Sequence, residues 1–154
     1  MSDSGLRIVP VDGEVLGDGT VIKVRGEQTG GALAVVETTL PARALISQHV
    51  HANDVWIYVL AGEVGVLVGE QIAKGGPGTW LLKPRDVPHA MWNAAAVPAR
   101  VMEVLTPAGS EGYFIEGQSV SDQAAFDERA ARYGIRFFRD SPWNVRLRKD
   151  FGLM

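Results

Sequence analysis

Cysteine is absent from the 154-residue chain. No disulfide, thiolate metal site or cysteine nucleophile can therefore form, and any metal-ligand set has to come from His, Asp, Glu, Asn or Gln. The same absence leaves the redox compartment open. Long apolar runs are missing too: none approaches the length that crosses a bilayer, and the start MSDSGLRIVP has no basic stretch leading into an apolar one. A soluble cytoplasmic protein with no membrane partner is expected. Excess positive charge is also lacking. The formal net charge of −3 counts against nucleic acid as a partner, because affinity for phosphates is largely electrostatic. The basic residues that do cluster, Arg132, Arg136, Arg139, Arg146, Arg148 and Lys149, read as a solvated or interface-facing tail.

What is present points to a small all-β protein. Hydrophobic residues make up 46% of the chain, enough for one sizeable core in a single domain. Eighteen glycines and eight prolines mark many turns without reaching low-complexity composition. Between the turns lie short β-rich runs at Thr20 to Arg25, Ala32 to Leu40, Asp54 to Leu60, Glu63 to Val68, Thr79 to Leu82 and Arg100 to Leu105. Their spacing of roughly ten residues is that of an antiparallel sandwich or barrel. A single segment, Ser121 to Tyr133, carries helix signals: a Ser-Asp cap, an Ala/Glu/Arg-rich body and Gly134 at its end. These readings divide the chain into a β-barrel over 1–112 and a C-terminal extension over 113–154 with one helix, packed on the same domain.

The chain has three histidines. His49 and His51 sit two apart, so in a strand their imidazoles project from one face at chelating distance. The third, His89, follows the Pro-bounded turn in KPRDVPHAMWN. Around them two patterns are legible. His49, His51 and Gly62 match a first motif of Gly, five residues, His-x-His, three or four residues, Glu, six residues and Gly. Gly78, Pro84, His89 and Asn93 match a second motif of Gly, five residues, Pro-x-Gly, two residues, His, three residues and Asn.

In these motifs, across about Pro41 to Asn93, the chain resembles the cupin superfamily. The resemblance implies a jelly-roll barrel, the double-stranded β-helix, with a short C-terminal helix. It also implies one divalent metal ion (iron, zinc, manganese or nickel) held by His49, His51 and His89. Three positions depart from the pattern. Arg43 and Asp86 stand where the motifs have Gly, both at turns, and Val55 stands where the first motif has its Glu ligand. Asp54 is one residue off and points to the opposite face unless a bulge turns it inward. Glu103, Glu37 and Gln48 lie on strands from which the lumen is within reach, and a solvent-facing position is expected for each.

With three neutral imidazoles and no carboxylate, the ion keeps its full formal charge. It then favours an anionic chelating substrate such as an enolate, phenolate or catecholate. Given Val55 in the lumen, Ile57 shares its face, as Met91 and Asn93 share that of His89. Val55, Ile57, Met91 and Asn93 are therefore candidate substrate contacts, unless they simply fill the core. Trp56, Tyr58 and Trp92 fall on the outer face, against another sheet, the C-terminal helix or a second subunit. The segment TPAGSEGYFIEG, the helix and YGIRFF are similar to the extension of small bacterial cupins related to quercetin dioxygenases and aromatic polyketide cyclases. That implies an aromatic or enolic small-molecule substrate and a homodimer. Three functions follow as expectations: a dioxygenase-type oxidoreductase, a redox-neutral cyclase or isomerase using zinc, and a non-catalytic small-molecule-binding barrel. No catalytic acid or base is assignable.

Overall fold

A computed structural model describes residues 13–117 and 122–154. The N-terminal stretch MSDSGLRIVP and the Ser121 part of the expected helix cap lie outside the described residues.

Eleven strands run in chain order among them: β1 (Glu14–Val15), β2 (Val21–Val24), β3 (Ala34–Leu40), β4 (Leu45–His51), β5 (Asp54–Ala61), β6 (Val64–Val68), β7 (Gln71–Gly75), β8 (Trp80–Lys83), β9 (His89–Trp92), β10 (Ala99–Thr106) and β11 (Ile135–Phe137). They form two antiparallel sheets, ordered β1-β2-β3-β10-β5-β8 and β11-β4-β9-β6-β7. The crossovers between sheets, with long returns such as β3 to β10, give the antiparallel barrel expected from the turn spacing, in the jelly-roll form that the family resemblance implies.

Alternation decides which side chains meet between the sheets. Ile57 and Val59 of β5, Val64 and Val66 of β6, Met91 of β9 and Val101 of β10 point inward with Leu40 and form the main core. A second cluster, including Ile22, Val36, Val55 and Leu105, fills the other end. Strands β6 and β9 are buried on both faces. Their outer side chains, Leu67, Ala90 and Trp92, are covered by Leu147 and Leu153 of and just after the helix α3 (Pro142–Phe151). Trp92 thus meets the C-terminal helix. Trp56 and Trp80, on the outer face of the six-stranded sheet, stay 42% and 52% exposed.

The extension holds more structure than the single expected helix. Besides α3 it contains α1 (Glu111–Glu116) and α2 (Gln123–Arg132). The second of these is the expected helix, with Asp122 accepting from the Ala125 amide at 2.8 Å and Gly134 leaving at φ 72°. Strand β11 joins the barrel itself, pairing Ile135 with His51 and Phe137 with His49. It is three residues long and carries Arg in its middle, which is too short for alternation to announce it. The boundary at 112 therefore separates sequence patterns, while the sheet hydrogen bonds cross it.

Candidate metal centre

Strands β4 and β9 pair so that His49 lies directly opposite His89, and His51 follows two residues along the same face. The Pro84 to Pro88 turn feeds His89 into this register; within it Asp86 donates its amide to the His51 carbonyl at 2.9 Å. Asp86 has φ 61° and Arg43 φ 60°. Both motif glycines that this chain replaces are thus left-handed backbone positions, here occupied by side-chain-bearing residues.

The three imidazoles are buried and their candidate ligand atoms lie within 4.8 Å of one another. Each Nδ1 donates to a backbone carbonyl two residues away: His49 to Ser47 at 2.8 Å, His51 to Asn53 at 2.7 Å and His89 to Val87 at 2.8 Å. Burial, reinforced by the positive charge of Lys83, pushes the pKa of His49 down to about 3 and of His51 to about 4, and lowers that of His89 strongly. Neutral rings that donate through Nδ1 have a lone pair on Nε2. Three such lone pairs converge here. His49 Nε2 and His89 Nε2 face each other at 3.1 Å, and His51 Nε2 has no hydrogen-bond partner among the described residues. Facing acceptors without a proton between them repel, so this donor set fits a cation, and the carbonyls orient the rings as outer partners of metal-bound histidines do.

Two of the three histidines, His49 and His51, line a cavity of about 530 Å³, with His89 buried behind them. Val55 lines it, so the position of the missing carboxylate is an apolar patch. Ile57 and Met91 do not line it; they are fully buried in the main core. Asn93 does not either. Its Nδ2 donates to the Leu40, Pro41 and Val97 carbonyls and its Oδ1 accepts from the Ala95 amide, a turn-fixing role. Of the four candidate substrate contacts, the fold leaves Val55 at the cavity and uses the other three to build the barrel.

Substitutes for the absent Glu fare similarly. Asp54 points outward and pairs with Arg85 at 2.9 Å. Glu37 pairs with Arg100 and Lys23. Gln48 is buried but accepts from Ser141 Oγ through its side chain. Glu103, expected toward solvent, instead faces the cavity. Its carboxylate accepts from Lys83 Nζ at 2.6 Å and from Thr38 Oγ1 at 3.2 Å, in an ion pair of which each side chain is only 6% exposed. The signal was present in the sequence: Glu103 sits between Val101 and Leu105 in a strand of strict alternation, on their inward face.

The extension supplies the aromatic part of the lining. Phe137, the cross-strand partner of His49, has its ring 5.2 Å from the imidazole, and Phe126 of α2 stands 5.5 Å beyond it. Tyr113 of α1 continues the row at 5.7 Å from Phe126. Arg139, read from sequence as part of a solvated tail, lies against Phe126 and Phe137 at this cavity.

Comparison with known proteins follows the geometry. The cupin-domain family profile matches residues 36–105. Among solved structures, a predicted oxalate decarboxylase from Thermotoga maritima aligns with TM-score 0.57 at 13% identity, covering 66% of this chain and 99% of that one. KdgF from a Halomonas species aligns with TM-score 0.54 at 18% identity, over 60% and 81% of the two chains. The polyketide cyclase RemF from Streptomyces resistomycificus aligns with TM-score 0.52 at 18% identity, over 66% and 78%. At these identities the likeness is one of fold. A search of curated proteins finds no match.

Proposed function

We propose, from the match of residues 36–105 to the cupin-domain profile and the shared barrel fold, that the chain is a cupin and a metal-dependent enzyme acting on a small aromatic or enolic anion, with dioxygenase-type chemistry. The observation that carries this reading is the convergence of three neutral Nε2 lone pairs, with no carboxylate among them, beside an aromatic-lined cavity. His49, His51 and His89 would hold the ion. A bound iron, zinc, manganese or nickel ion supplies Lewis acidity there and, where the metal is redox-active, a route for electrons to dioxygen. The protein's own groups do the rest. Burial keeps the imidazoles unprotonated and available as donors. Val55 brings no negative charge, which leaves an anionic substrate to balance the ion. The row of Phe137, Phe126 and Tyr113 offers flat apolar surface and keeps water from the planar face of a ligand.

One observation favours a second reading, a redox-neutral cyclase or isomerase. The buried Lys83–Glu103 pair holds a proton at the cavity wall, between Nζ and Oε1, where an enolising substrate needs one given or taken. The homodimer implied by the resemblance is proposed on the outer face of the six-stranded sheet, where exposed Trp56 and Trp80 lie on neighbouring strands beside Tyr58.

Elemental mass spectrometry of protein purified without a chelating tag, followed by oxygen-uptake assays on phenolates and enolates, tests the proposal. Near one iron per chain with substrate-dependent oxygen uptake is the expected result. Near one zinc with turnover under nitrogen selects the second reading. His51→Ala should lower metal occupancy at least tenfold with the far-UV circular dichroism unchanged; full occupancy in that variant removes the three-histidine site.

A further inference from the structure

Among the described residues, the buried side-chain polar atoms without a hydrogen-bond partner belong to two residues. One is His51, through Nε2, and the other is Arg129, through Nε and Nη1. Both residues line the same cavity. Arg129 is only 4% exposed, and a guanidinium cannot shed its charge at any physiological pH. Buried unpaired charge is strongly unfavourable, so a native protein keeps such a group where a counter-charge arrives.

Among the described residues, the surrounding carboxylates do not provide one. Glu116 accepts from Arg132 and from the Tyr133 hydroxyl, and Asp127 accepts from Arg139 and Gln123. Glu111 is taken by the amides of Gly26 and Gly109, and Glu103 by Lys83 and Thr38. Arg129 is held instead by Tyr113, through its hydroxyl and its ring face, and by Phe126, its Cζ 4.7 Å from the Tyr113 centroid and 4.9 Å from that of Phe126. Phe126 and Arg129 are three residues apart on α2, so they share one helix face. Ring contacts then run without a break from His49 through Phe137 and Phe126 to the guanidinium.

We infer that Arg129 binds a carboxylate on the substrate, so that the ligand is an aromatic or enolic acid with two anionic ends: one at the imidazoles, the other at the Arg129 guanidinium. Nε–H and the Nη1 hydrogens point to different edges of the guanidinium, and each can give a carboxylate oxygen one charge-assisted hydrogen bond. The identity of the imidazole end rests on the proposed function; the carboxylate subsite does not.

The test uses the full chain stripped of metal and two probes of the same shape, 2-naphthoate and 2-naphthamide, with binding read by titration calorimetry. Wild type should bind the carboxylate at least tenfold more tightly than the amide. Arg129→Met should erase that preference while leaving amide affinity within about twofold, and Arg129→Lys should retain part of it. Equal affinity for the two probes in wild type, a preference that survives Arg129→Met, or no binding of either at millimolar concentration overturns the inference. The wild-type comparison needs no variant to fold. Metal is absent throughout, so a chain that proves unable to hold metal sinks the proposed function without touching this result.

Discussion

At the scale of single residues, the site depends on charges placed where water is scarce. Lys83 and Glu103 neutralise each other across 2.6 Å inside the barrel. Removal of one partner of such a pair leaves an uncompensated buried charge, a loss of about 3–5 kcal/mol. Lys83→Met is accordingly expected to lower unfolding stability by about that much, and Lys83→Met combined with Glu103→Leu to regain most of it, as read by urea titration. A single variant as stable as wild type would show that the pair is solvated in solution. The three-histidine cluster was legible at this scale because His-x-His on one strand and a third histidine at motif spacing need only local geometry. Glu103 was legible only as an inward-facing position on its strand and Arg129 not at all, since nothing near either in sequence says what faces it across the lumen.

Turns and helix docking carry the predictions at the scale of elements. Arg43 and Asp86 occupy left-handed backbone at φ 60° and 61°, a conformation that costs most L-residues roughly 1–2 kcal/mol. After allowance for the greater freedom of glycine in the unfolded chain, Arg43→Gly is expected to stabilise by about 0.5–1 kcal/mol. Asp86→Gly should gain less, since Asp tolerates that region better; a loss of stability in both variants would mean that their side chains hold the turns. Gly65 answers to a different constraint. A Cβ there would stand 2.1 Å from the Trp92 ring, whose centroid lies 4.8 Å from that of Phe151 on α3. Gly65→Ala should therefore cost about 1–3 kcal/mol by overpacking and weaken the near-ultraviolet tryptophan signal as α3 is displaced. Unchanged values would show that Trp92 has room to move. Strand alternation announced β5 and β10 well, whereas β11 and α3 could be read only once their partners were in place.

For the whole molecule, the buried histidines tie folding to pH. Unfolded imidazoles protonate near pH 6.5, whereas folded His49 and His51 resist down to about 3 and about 4. Between these values the unfolded chain binds more protons. The metal-free protein is therefore most stable above about pH 6.5 and loses stability as pH falls, each imidazole costing up to about 1.4 kcal/mol per unit. Denaturant midpoints of chelator-treated protein at pH 7.5 and pH 5.0 check this, and equal midpoints would mean that the rings are hydrated. The sequence by itself determined the antiparallel barrel and the histidines on its inner face, because alternation and turn chemistry are local and leave few ways to bury these strands. Only the tertiary structure decided that Glu103 meets Lys83, that Ile57, Met91 and Asn93 belong to the barrel wall, and that Phe126, Arg129 and Phe137 close the cavity. Those contacts depend on which strands become neighbours and on the extension folding back along β4, and the gain that selects them is burial shared between segments far apart in the chain.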